Sequence, residues 1–167
     1  MADKYIYNNS GTLTEKAAII SSAGAGDSGK IIALDAAGRI DNSMMPVGIG
    51  TDTGAVTASE NPSAGDFVNI WNSTGAKVRK ADATTAGKRA HGFVLASVTS
   101  GNTATVYFEG TNTAVTGQIP GEVFLSTTAG LSTATAPSAS GNVVQRIGFA
   151  ISATAINFQA GEAITLV

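Results

Sequence analysis

Apolar residues fall in short bursts along this chain, parted by turns rich in glycine, threonine and asparagine. "FVNIW" (67–71) places apolar side chains in two alternating registers, "AHGFVLASV" (90–98) is an almost unbroken apolar run, and "TATVYFEG" (103–110) alternates again. Gly101-Asn102, between the last two, is turn chemistry, so residues 90–110 predict a hairpin. The first part of the chain reads differently. It carries "YIY", the apolar patch "KAAII", a glycine-rich break, and then "GKIIALDAAGRIDNSMMPVGIG", which predicts two short strands about a turn at Ala37-Gly38 and a stop at Pro46. Isolated short strands are not stable alone. Residues 1–53 therefore predict an extended N-terminal arm with short strands, used for attachment or subunit exchange, and residues 54–167 predict the folded body.

The pattern of the body returns. Residues 64–108 can be laid over 120–158 so that Gly65-Asp66 meets Gly121-Glu122, Gly75 meets Gly130, Gly87 meets Gly141 and Gly92-Phe93 meets Gly148-Phe149. An approximate internal duplication is the simplest account, and two such units closing on each other make a small β-barrel or sandwich. The expected fold is all-β. Phe93 and Phe149 each follow a glycine and open an apolar strand, which predicts matched core positions.

Composition agrees with short strands. Only 13% of the 167 residues are charged and 6% aromatic, with 20 glycines, whereas amphipathic helices need charged faces. The length allows one domain, or one domain and an arm. A net charge of −2 argues against a nucleic-acid partner, and the lack of cysteine excludes disulfides and thiolate metal sites. The start "MADKYIYNN" has no apolar signal core, and no apolar run approaches the roughly 18 residues of a membrane helix. These features lead to the expectation of a soluble protein made in the cytosol, without a membrane partner. The triplets Asn8-Asn9-Ser10 and Asn72-Ser73-Thr74 match a glycosylation pattern and are read as chance.

"GAGDSGKIIALD" (24–35) fits the spacing of a phosphate-binding loop. Such a loop needs a Ser or Thr hydroxyl after the lysine for magnesium, and a helix starting at once to face the anion. Ile31 follows Lys30, and Gly38 interrupts the chain before three helical turns, so no nucleotide is expected. The glycines at 24, 26 and 29 read instead as a hinge. His91 is the only histidine, its counterpart in the second copy is Ile147, and a packing role is expected over a general base. Asp66 and Glu122 share one slot of the two copies, where a Gly-acid step before a strand is turn chemistry. Asp27, Asp35, Asp41 and Asp52 lack the spacing of a calcium loop. No catalytic set, cofactor or metal is expected, and the chain is read as a non-enzyme.

Two stretches remain as contact surfaces. Tyr5, Ile6 and Tyr7 form an aromatic-apolar tip on an aromatic-poor chain, and such a tip is costly unless covered; they are candidate anchors to a shell or a neighbouring subunit. Lys77, Arg79, Lys80, Lys88 and Arg89 are half of the basic residues, with Asp82 alone among them. They form either a solvated edge that deters strand addition or a docking patch for an acidic surface. In strand register Lys77, Arg79 and Ala81 face one way, Val78 and Lys80 the other.

The residues "GKIIALDAAGRIDNSMMPVGIG", "AGDFVNIWNSTGAKVRKADATTAGKRAHGFVLASVTSGNTATVYFEG" and "VFLSTTAGLSTATAPSASGNVVQRIGFAIS" resemble small virion structural proteins of tailed bacteriophages, of the capsid-decoration, cement or head-fibre type. The resemblance covers most of the chain. It implies a homotrimer on the outer surface of a phage head, bound between major capsid protein subunits at local three-fold positions. A head or tail fibre that binds a host receptor is the nearest alternative, and a glycan-cleaving enzyme a more distant one.

Overall fold

The computed structural model describes residues 3–45 and 50–167; the stop read at Pro46 lies outside the described residues. Contacts divide the chain into two compact units, Met1–Gly50 and Thr51–Val167. Both are built of strands and turns, and helix is confined to single 3-10 turns at Ala25–Asp27 and Asn42–Met44 among the described residues.

In the first unit the chain doubles back as a hairpin of β1 (Lys4–Asn9) and β2 (Thr12–Ala17). Ser10 and Gly11 both take positive φ, 52° and 97°, the conformation that suits a two-residue turn to the twist of its strands. Asn8 Oδ1 accepts the Gly11 N–H at 2.8 Å. The other Asn-x-Ser/Thr triplet does the same, with Asn72 Oδ1 accepting the Gly75 N–H at 3.2 Å. Both triplets are thus hairpin chemistry, in which a side-chain oxygen caps an otherwise idle turn amide.

The second unit opens with β3 (Thr53–Ala58), β4 (Phe67–Asn72), β5 (Ala76–Lys80), β6 (Gly92–Phe93) and β7 (Thr103–Tyr107). They close a barrel in the order β3-β5-β4-β6-β7, with β7 returning to β3. Its interior holds Ala58, Val68, Val78, Val94, Ala104 and Val106, small side chains that suit so narrow a ring. β4 buries both faces. Val68 points into the barrel while Phe67 points out into a second core, which is why "FVNIW" carries apolar residues in two registers.

The later strands are β8 (Gly110–Asn112), β9 (Gly121–Leu125), β10 (Ser132–Thr133), β11 (Val143–Ser152), β12 (Ala155–Phe158) and β13 (Ala163–Thr165). Five of them run β10-β9-β11-β12-β8, and β13 pairs with β11. Matching β8 to β3, β9 to β4 and so on gives the ring order of the first half with one link missing: β3 pairs with β5, whereas β8 does not pair with β10. The duplication therefore extends to topology, with one ring closed and the other open. Gly92 and Gly148, aligned in the two copies, share a reason: a Cβ on either would collide with a backbone carbonyl of the next strand, that of Tyr107 or Asn157. The second core lies between the halves, where Phe158 packs 5.7 Å from both Phe67 and Phe93. Gln145, 1% exposed, ties them together by exchanging both amide bonds with Ala90, at 2.7 and 2.9 Å.

Two expectations need correcting. Phe93 is buried but Phe149 is only half-buried, because β11 bulges between Arg146 and Gly148 against β9. The extra residue turns Ile147 into the core and Phe149 out of it. The run 90–98 yields only the two-residue β6. Beyond Phe93 the chain leaves the ladder, sending Val94 into the barrel and the Val98 N–H to the Pro62 carbonyl at 2.9 Å.

Candidate functional site

Two surfaces were expected to make contacts, and each is built differently from its sequence signal. In the first unit no described residue is buried. Nine large apolar side chains between Ile6 and Met45 are exposed, against five in the much longer second unit. Ile6 is 66% and Leu13 70% exposed, and the hairpin register places them on one face with Lys4 and Glu15. Tyr5 and Tyr7 occupy the other face. Tyr7 is exposed beneath the Lys16 ammonium, 4.7 Å from its ring centre, whereas the Tyr5 hydroxyl is enclosed with no partner among the described residues.

The charges of this unit largely satisfy one another. Lys4 pairs with Glu15 at 2.6 Å and Arg39 with Asp35 at 3.7 Å. In "GAGDSGK" the Lys30 ammonium lies 2.6 Å from Asp27, whose other oxygen accepts the Ala23 N–H at 2.7 Å. That lysine bond, with the Ala23 amide, holds the Asp27 carboxyl below its ordinary value. The stretch is thus a turn fixed around Asp27, in place of the hinge read from its glycines. Ile32, where a phosphate loop would have its helix, forms a parallel bridge with Ile19.

The basic segment is mostly consumed inside the body. Lys80 pairs with Asp66 at 3.0 Å and Lys88 with Asp82 at 3.9 Å. Arg79 stacks over Trp71 at 4.5 Å and donates to Asn69 Oδ1 at 2.9 Å. Lys77 and Arg89 alone of the five make no such bond to an acid or aromatic ring among the described residues. The register sets this division: β4 and β5 place Asn69, Trp71, Lys77 and Arg79 on one face, while Val78 turns into the barrel.

The aligned carboxylates part company. Asp66 is 5% exposed, accepts the Ser63 N–H at 2.8 Å and borders a 350 Å³ cleft that also includes Gln118 and Ser132. Glu122 is exposed and pairs with Arg146 at 3.0 Å. One acid locks a turn and the other sits on the surface. His91 is partly buried, and its Nδ1 accepts the Ile70 N–H at 3.0 Å. Burial, and then the Arg89 charge, lower its pKa below the ordinary 6.5. Sequence reasoning missed the Asp66–Lys80 pair, the Arg79–Trp71 stack and the Gln145 tie. Each joins residues 8 to 55 positions apart, and no local pattern marks such partners.

Among the described residues no three His, Asp or Glu side chains form a metal-binding group, and no helix is long and apolar enough to cross a membrane. Comparison with protein-family models, curated proteins and solved structures finds no match to this chain.

Proposed function

We propose that this is a structural virion protein that decorates and stabilises the outside of a bacteriophage head, binding as a homotrimer between major capsid protein subunits. The observation that carries the assembly part of this reading is the first unit. None of its described residues is buried and nine of its large apolar side chains are exposed, while its charged groups are largely paired internally. A surface of that kind belongs against another protein. The phage setting comes from the sequence resemblance.

Tyr5, Ile6 and Tyr7 are the proposed anchors, supported by Leu13 across the hairpin. Deleting residues 2–22 removes the whole hairpin and should leave the body folded while occupancy on bare heads falls to background. Heads that still take up the truncated chain would overturn the anchor. A few copies per particle, in place of hundreds, would favour the fibre reading. Turnover of a glycan that Asp66→Asn or Glu122→Gln abolishes would favour an enzyme.

A further inference from the structure

We infer that copies of this chain join through the second half of the body, which packs the uncharged surface around its open ring against the same half of a neighbouring copy. The two halves share one strand order, so a difference between their surfaces is not imposed by the fold. Residues 51–109 carry ten charged side chains and, among the described residues, no exposed large apolar one. Residues 110–167, of nearly the same length, carry three charged side chains and five exposed large apolar ones: Ile119, Leu131, Ile151, Ile164 and Val167. Two of those three charges, Glu122 and Arg146, pair with each other at 3.0 Å. Loss of charge together with exposed aliphatic side chains marks the centre of a protein–protein interface.

The sheet edges point to the same half. The first ring is closed and has no edge to guard, yet β5 bears Lys77, Arg79 and Lys80. β8 and β10 are the free ends of the open sheet, and the stretches that contain them, 110–121 and 123–145, have no charged residue at all. An uncharged edge in water is a template for another strand, and charge is the common guard against that. Here the guard is absent where the edge is free. Residues 114–118, after β8, and 130–132, entering β10, border the 350 Å³ cleft, and Ser132 Oγ joins these two lips by donating to Gln118 Oε1 at 2.9 Å. The Gln118 N–H donates to the Ala153 carbonyl at 3.0 Å. Ile119, Leu131 and Ile151, each within two residues of one of these bonds, therefore lie close to the opening.

The occupant that fits is a second copy. An uncharged surface meets its own image without repulsion. Each copy also holds both members of a strand pairing that it leaves unmade, since β3 and β5 pair in parallel in the first ring while their counterparts β8 and β10 stay apart. Two different edges used head to tail give a closed ring of copies when the rotation allows, which is the symmetry of a trimer. The inference rests on the homotrimer proposed above and names the surface that builds it, leaving the first unit for the head.

The test follows the mass of the full-length protein by sedimentation velocity at micromolar concentration. The native chain should be a trimer, and so should Ser100→Glu, which adds a charge on an exposed turn of the first half. The double variant Ile119→Glu, Leu131→Glu should be a monomer with an unchanged far-ultraviolet circular dichroism spectrum, and either single substitution should raise the dissociation constant at least about tenfold. Because the chain has no cysteine, a spin label on Ile119→Cys reports the distance between copies even if the double variant fails to fold. That distance should be shorter than the one from a label on Ser100→Cys. A native chain that stays monomeric, a trimer that survives the double substitution, or a distance from Ile119 no shorter than that from Ser100 overturns the inference. Occupancy of bare heads is scored separately from mass: a double variant that is still a trimer and still decorates heads removes this surface and keeps the head reading, whereas a native trimer that ignores heads removes the head reading alone.

Discussion

His91 shows how much one side chain's surroundings add to its identity. From sequence it is a lone histidine with an isoleucine in its place in the second copy, and a packing role follows. In the fold it is partly buried, accepts a strand amide and faces Arg89, so both burial and the neighbouring charge favour the neutral ring. The sign for stability follows from the lowered pKa. Above the unfolded value of 6.5 both states are neutral and the contribution is complete; as pH falls below 6.5 the unfolded chain takes up the proton first, and stability declines until the folded ring also protonates. The melting temperature should therefore fall between pH 7.5 and 5.5, and His91→Gln should flatten that slope whatever it does to the absolute value. The carboxyls of Asp27, Asp35 and Asp41 are also lowered, by lysine, backbone and serine hydrogen bonds respectively. Their contributions are lost only at more acidic pH, below 3.8. A slope in His91→Gln equal to that of the native chain would remove His91 as its source.

At the level of elements, the bulge in β11 decides which face of the strand meets the core. One inserted residue opposite β9 brings Ile147 inward and leaves Phe149 half-buried across from Glu122, whereas Phe93 in β6 is enclosed by Tyr107 and Phe158. Phe93→Ala should accordingly cost about 3–5 kcal/mol and Phe149→Ala about 1–2 kcal/mol by urea denaturation. Ile147→Ala should cost about 2–5 kcal/mol, more than the phenylalanine beside it. Equal losses at Phe93 and Phe149 would mean that β11 runs unbulged. The alignment of the two copies was sound at its glycines and failed at this strand because side-chain facing depends on ladder register.

For the whole molecule, the two units differ in what holds them. Every buried residue described lies in Thr51–Val167, and most of the apolar ones belong to the barrel interior or the core between the halves. The first unit is held by hairpin and turn hydrogen bonds and exposed ion pairs, which contribute little net stability in water. A chain of residues 51–167 alone should therefore fold and melt within a few degrees of the full protein by circular dichroism. A collapse of its melting transition would show that the first unit supports the core.

The sequence by itself determined the all-β class, the duplication and the places where the chain turns, because period-two apolar patterns, glycine spacing and Gly-Asn turn chemistry act over a few residues. It also placed Tyr5, Ile6 and Tyr7 as an unusual apolar cluster. Tertiary structure alone decided which ring closes, that β4 is buried on both faces, that Phe149 turns outward, and that Lys80 and Lys88 are consumed by Asp66 and Asp82 while Arg89 is left facing His91. Those outcomes depend on ladder register and on which distant strands become neighbours, and a slip of one residue reverses the face a side chain presents.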